Sequence, residues 1–185
     1  MMKVSFRAML FVAGILSVIS CSDKKKMQTS DGDAQQESGV PDSTIYGKCG
    51  ENTAMHTLEL ITLQGDTVNC VLGVDEDAKV QGGLLTGDRL AVIAHKNKDG
   101  ENVAETVINL TTLSGKWRSI DKQFEIQEDG SVLSTIKEES KPWTSWKISN
   151  GKLVLNKDTF TINELGADSL YLENTYGIFA FKRQQ

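Results

Sequence analysis

Apolar and polar side chains alternate with a period of two along most of the chain beyond residue 55, which is the spacing of half-buried strands. The pattern is cleanest at the C-terminal end. Lys122–Gln127, Ser131–Ile136, Trp143–Ile148, Lys152–Asn156, Thr159–Asn163, Ser169–Glu173 and Gly177–Arg183 each read as a strand, preceded by a first one at Gly115-Lys116-Trp117. Asp129-Gly130 and Asn150-Gly151 are two-residue hairpin signals, because glycine and asparagine tolerate the positive φ that such turns require. About eight short strands joined by tight turns predict an up-and-down meander closed into a barrel over residues 114–185.

Residues 44–113 carry a second set of short strands: Thr57–Leu63, Thr67–Leu72, Ala78–Leu84, Arg89–His95 and Val103–Leu110. Gln64-Gly65-Asp66, Gly87-Asp88 and Asp99-Gly100 separate them as turns. No stretch of this region has a helical period. Five strands with glycine at the corners predict a small Greek-key barrel. The run from Val80 to Val92, in which a Gly-Asp turn precedes a long strand, resembles the middle of an OB barrel. It is not a phosphate-binding loop, since no Gly-Lys-Ser/Thr is present.

The N-terminal end breaks the alternation. Lys3 and Arg7 precede the apolar run Ala8–Leu16, and Val18-Ile19-Ser20-Cys21 follows. A charged n-region, an apolar h-region and a small residue at the cut mark a secretory signal. The run is shorter than the ~20 apolar residues that a membrane-spanning helix needs. Val18-Ile19-Ser20-Cys21 resembles the lipobox of bacterial lipoproteins. That resemblance implies cleavage after residue 20 and lipidation of the Cys21 thiol, an attachment to which each buried CH₂ contributes about 0.8 kcal/mol. Residues 22–43 hold almost no apolar side chains and cannot offset their ordering entropy, so with Cys21 they read as a lipid anchor and disordered tether over 21–43. Lys24, Lys25 and Lys26 stand where an anionic membrane surface would attract them. The reading as three solvated lysines stays equally open.

Loss of residues 1–20 leaves 18 basic against 25 acidic side chains, a balance of −7. Such a chain lacks the basic surface that nonspecific nucleic-acid binding needs. Cys49 and Cys70 remain in a compartment that permits disulfides. They either form a bridge, closing a loop of about 20 residues worth around 3 kcal/mol, or pack as small hydrophobes.

A family resemblance covers most of residues 113–183. Gly115-x-Trp117, Glu128-Asp129-Gly130-Ser131, Trp146-Lys147-Ile148 with Gly151-Lys152-Leu153, Asp168-Ser169-Leu170 and the terminal Phe181-Lys182-Arg183 occur in an order similar to that in the compact lipocalin-like domains of Bacteroidetes lipoproteins. The resemblance implies an all-β chain of two small barrels, an OB-like five-stranded barrel followed by a lipocalin-like up-and-down eight-stranded barrel. It also implies a structural pair at one barrel end, with Arg183 of the last strand packed over Trp117. Eight strands in about 70 residues are short, and they favour an interior filled by side chains over a roomy pocket.

Candidate chemistry is sparse. His56 and His95 are the only histidines. Met55 and His56 near Cys49 or Cys70 could supply soft copper ligands, but no two ligands stand at a recognised spacing. No Gly-x-Ser-x-Gly elbow is present, and Asp75-Glu76-Asp77 and Glu138-Glu139 read as solvated loops. Asn109-Leu110-Thr111 matches a glycosylation pattern. Trp143 and Trp146, three apart on one strand, should face opposite sides, and Trp143 beside Pro142 is the candidate contact residue unless it covers a barrel end. The expectation is a lipid-anchored protein of the bacterial cell envelope, at the outer membrane by analogy, with no cofactor, metal or catalytic residue. It would act as a non-enzymatic binding or interaction module for an envelope protein, a glycan or a small apolar ligand. The alternative is a lipocalin-like carrier of a small apolar ligand in the C-terminal barrel, and a hydrolase stands third.

Overall fold

Fourteen strands and one helical turn lie in the described part of the chain, residues 41–73, 78–136 and 139–184 of a computed structural model. The expected signal peptide, Cys21, most of the tether and the Asp75-Glu76-Asp77 run lie outside these residues.

The first sheet contains β1 (Ile45–Cys49), β2 (Thr57–Thr62), β3 (Thr67–Val71), β4 (Lys79–Gln81), β5 (Arg89–Lys96) and β6 (Asn102–Asn109). Their order is β3-β2-β1-β5-β6-β4, and β3 also pairs with β6, in parallel, through Cys70↔Asn102 and Val71↔Val103. The sheet has six strands, one more than the alternation predicts. The unexpected strand is β1. Its Gly47 interrupts the apolar pattern, and an added Cβ there would sit 2.4 Å from the Ile61 carbonyl oxygen. Glycine is present because a neighbouring backbone comes so close.

A single helical turn, α1 (Leu110–Leu113), follows β6 and was likewise absent from the expected elements. Four residues are too few to display a 3.6-residue period. The turn is specified by its cap: Asn109 has extended backbone and its side chain accepts the Thr112 N–H at 2.9 Å.

The second sheet comprises β7 (Gly115–Arg118), β8 (Gln123–Ile126), β9 (Val132–Ser134), β10 (Trp146–Ser149), β11 (Lys152–Leu155), β12 (Asp158–Leu165), β13 (Ser169–Asn174) and β14 (Gly177–Arg183). All its pairings are antiparallel, in the order β10-β11-β12-β13-β14-β7-β8-β9. It is a nearly closed eight-stranded barrel. The gap between β9 and β10 is bridged by Ser131 and Ser145, by Val132 N–H to Thr144 O at 3.0 Å and by Trp146 N–H to Gly130 O at 2.8 Å. The expected turns are in place. Asn150 (φ 47°) and Gly151 (φ 72°) connect β10 to β11 in left-handed backbone.

Two hydrophobic clusters meet along β5 and β6. Leu90, Val92 and Val107 pack with Leu58, Leu60, Cys49 and Cys70 in the first sheet's own core. Ala91 and Ile108, on the opposite faces of the same strands, join Leu110, Leu113 and the barrel interior. Period-two geometry thus makes these two strands a shared wall. Gln81, 7% exposed, locks the wall to the barrel. Its Oε1 accepts the Leu165 N–H at 2.9 Å, and its Nε2 donates to the carbonyls of Ile162 and Asn163 at 3.4 and 3.3 Å. The β12–β13 register shifts between Ile162 and Glu164, so the side chain serves backbone groups at an irregular point of that ladder.

Aromatic rings fill the barrel. Phe124 meets Trp143 and Phe181 edge-on at 5.0 and 5.1 Å, and Trp143 meets Phe160 at 5.7 Å. Each such contact contributes about 0.5–1.5 kcal/mol beyond area burial.

Candidate functional site

The residues singled out from sequence fall at separate places. Trp117 is fully buried at one barrel end, where β7 leaves α1. Its indole N–H donates to Leu113 O at 2.8 Å, and the Arg183 guanidinium carbon lies 4.2 Å from the ring centre. Register sets this geometry, since Arg183 on β14 stands opposite Trp117 on β7. Arg183 also donates to the carbonyls of Thr112 and Ser114 at the end of α1 and of Ala167 in the turn between β12 and β13. Burial lowers the Arg183 pKa, and the Asp168 charge acts against that shift. The cluster joins the last strand to the first and has a structural role.

Trp143 is not an exposed contact residue. It precedes β10, is 7% exposed, and inserts among Phe124, Phe160 and Phe181 with Lys122 Nζ 4.2 Å above its ring. The reasoning from opposite strand faces does not apply, because only Trp146 of the pair belongs to a strand.

Cys49 and Cys70 are free, buried thiols. They stand on strands that flank β2 on opposite sides, Cys49 opposite Leu60 and Cys70 opposite Leu58. Two inter-strand spacings separate them by roughly 9–10 Å, beyond the ~7 Å limit for a disulfide. Burial raises the Cys70 thiol pKa, so it remains an unreactive SH group. Met55 and His56 are solvent-exposed, apart from the buried thiols. Asn109, 1% exposed, spends its amide on Gly82, Gly83 and Asp88 and is inaccessible to a glycosyl group in the folded chain.

A concavity with accessible aromatic and charged side chains lies where the first sheet meets the barrel, apart from the residues described above. It has a volume of about 360 Å³, within the range of small-molecule sites. Tyr46 of β1, Leu63 after β2, Leu90 of β5, Leu110 of α1, and Trp146 and Ile148 of β10 supply its apolar lining. Each aromatic ring is tethered at its polar end: the Tyr46 hydroxyl donates to Ile148 O at 2.7 Å, and the Trp146 indole N–H donates to Gln127 O at 2.6 Å. Burial, then the Asp42 charge, raises the Tyr46 phenol above its ordinary pKa, with partial offset from the Ile148 bond, which keeps it protonated.

Comparison with protein-family models, curated proteins and solved structures yields no match to this chain.

Charge is arranged unevenly around the groove. Arg89 Nη1 contacts Glu128 Oε2 at 2.6 Å, and Asp129 accepts from the Ser131 hydroxyl and N–H at 2.6 and 2.9 Å. The side-chain hydrogen bond from Ser131 and then the backbone one hold the Asp129 carboxyl below its usual value. Both acids of the groove are therefore engaged. Lys48 and Lys147 line it with no ion-pair or hydrogen-bond partner among the described residues. A rigid aromatic wall beside two unengaged ammonium groups can hold an apolar body that carries a negative charge. Its tyrosine, tryptophan, arginine and carboxylates are already committed to the scaffold. Sequence inspection missed this site because its walls come from residues up to about a hundred positions apart, brought together only by the docking of the two sheets.

Proposed function

We propose that the chain is a lipid-anchored protein of the bacterial envelope that acts as a non-enzymatic binding module, with the groove between its two sheets as the binding surface. The observation that carries this reading is the pairing of tethered Tyr46 and Trp146 with unengaged Lys48 and Lys147 in one accessible hollow. Pre-organised aromatic faces favour binding because little rotamer entropy remains to be lost. The engagement of the groove's acids favours recognition over acid–base chemistry. The ligand class that this lining suits is an amphipathic anion.

The finer architecture belongs to the same proposal. In the first sheet, β1–β2–β3 form a meander, β3 runs parallel to β6, β6 pairs with β5, and β5 returns to β1. That circuit supports an OB-like reading of the first region. The sequential meander of the second region supports a lipocalin-like one. The carrier alternative receives less support, because Trp143 and its aromatic neighbours occupy the space that a carried ligand would take.

Two experiments test the proposal. Metabolic labelling with palmitate should mark the wild-type chain and leave Cys21→Ser unlabelled; equal labelling defeats the anchor. The detergent-free full chain in lipid nanodiscs should bind the apolar anion 8-anilinonaphthalene-1-sulfonate saturably at one site. Trp146→Ala and the double change Lys48→Glu with Lys147→Glu should each weaken binding about tenfold or more, equivalent to about 1.4 kcal/mol. Unchanged affinity in both variants, or turnover of a generic ester or glycoside panel by the wild type, overturns it.

A further inference from the structure

A second surface, on the far side of the barrel from the β10 wall of the groove, carries an independent inference. Strand β14 is paired with β13 along its whole length, from Asn174↔Gly177 to Ser169↔Lys182. Its other neighbour, β7, pairs with it only at Lys182↔Arg118 and Arg183↔Trp117. Beyond Arg118 the chain turns away through Ser119–Asp121 into β8, which leaves the Gly177–Phe181 half of β14 with an open edge.

The direction of the open hydrogen-bonding groups follows from the ladder. Arg183 N–H donates to Asp168 O on the β13 side, and Gln184 N–H donates to Lys116 O on the β7 side. Inward and outward groups alternate along an antiparallel strand, so the N–H and C=O of Ile178 and Ala180 point to the open side. Among the described residues they have no hydrogen-bond partner there. Beside this edge lies a hollow of about 590 Å³ lined by Ile120, Tyr171, Ala180, Arg118, Lys182 and Asp168. Ile120 is fully exposed, and Ile178 and Tyr176 also face solvent. Proteins normally blunt such an edge with a charge, a bulge or a covering segment. Here the charges, Arg118 and Lys182, stand only at the end where β7 is still paired.

We infer that the open edge of β14 is a docking site for an extended segment of a partner polypeptide, about four to five residues long, with apolar side chains alternating and a carboxylate at the end near Arg118 and Lys182. A strand satisfies both features at once. Its backbone supplies two donors and two acceptors in register with Ile178 and Ala180, and its alternate side chains fall beside Ile120 and Tyr171. The two cations outnumber Asp168 and select a carboxylate over an ammonium group. A second copy of this chain, paired antiparallel across a twofold axis, would set Arg118 and Lys182 opposite Tyr176 and supply no carboxylate to them.

The test uses the full chain and two blocked octapeptides of alternating Val and Thr, one ending in Glu and the other in Lys. In the unliganded protein the Ile178 and Ala180 amides should exchange with solvent much faster than those of Phe179 and Phe181. The Glu-ended peptide should slow both amides and bind at least fivefold more tightly than the Lys-ended one. Ala180→Pro removes an outward N–H without touching the β13 ladder and should weaken binding at least tenfold. Arg118→Glu with Lys182→Glu, a surface change that checks the conclusion independently of the proline, should reverse the preference between peptides. Slow exchange at Ile178 and Ala180 in the free chain, equal binding of the two peptides, or a dimer that Ala180→Pro abolishes would each overturn the assignment.

Discussion

Trp117→Ala lowers the unfolding free energy by about 3–5 kcal/mol, the range for removing a fully buried aromatic side chain. The cost arises from several losses at one place. The indole is fully buried, so its deletion opens a cavity at the barrel end. Its N–H no longer satisfies the Leu113 carbonyl. The Arg183 guanidinium loses the ring beneath it, a cation–π contact worth about 0.5–2 kcal/mol. Trp117→Phe retains most of the volume and should cost less, about 1–3 kcal/mol, mainly through the unpaired carbonyl. Urea unfolding followed by far-ultraviolet circular dichroism measures both. A Trp117→Ala chain that unfolds at the wild-type midpoint would show that the contact does not hold the first and last strands together.

Asn109→Ala should be the next most damaging single change, at about 2–4 kcal/mol. The helix cap accounts for about 1 kcal/mol. The rest comes from the other half of the amide, which donates to Gly82 O at 3.3 Å, Gly83 O at 3.0 Å and Asp88 Oδ2 at 2.6 Å. Gly82 O would keep the Thr112 hydroxyl and Asp88 Oδ2 the Leu85 N–H, but Gly83 O would be left without a donor in a part-buried place, and an orphaned acceptor costs about 1–3 kcal/mol unless water reaches it. The same thermal or urea melts check the prediction, with Asn102→Ala as the comparison. Asn102 donates to Asn69 O at an exposed position and its loss should cost about 1 kcal/mol or less. Equal effects of the two substitutions would show that the buried bonds at Asn109 do not carry the difference.

Much of the barrel was legible along the chain, and the reason is local. Phe124 and Ile126, Leu170 and Leu172, and Leu153 and Leu155 sit two apart and all face inward, so period two identifies their strands without knowledge of their partners. Asn150-Gly151 and Asp129-Gly130 specify their turns through backbone conformations that few residues accept. The elements that escaped inspection have no local signal. Strand β1 depends on a glycine that a neighbouring carbonyl demands, and α1 is a single turn created by its cap. Trp143 beside Pro142 left two readings open along the chain, an exposed contact or a cover on a barrel end, and its packing against Phe124, Phe160 and Phe181 decided for burial.

By itself, the sequence determined an all-β chain and the turns of its second half, because each depends on residue types at short fixed spacings. Only the tertiary structure decided which faces meet. Strands β5 and β6 became a wall shared by two cores, Gln81 became the bolt between the sheets, and Tyr46 and Trp146 came to face one groove. Those outcomes depend on pairing between segments far apart in the chain, where the free energy resides in complementary shape and hydrogen-bond satisfaction that no short window of sequence contains. For the same reason the thiols of Cys49 and Cys70, only about twenty residues apart in the chain, ended on opposite sides of β2.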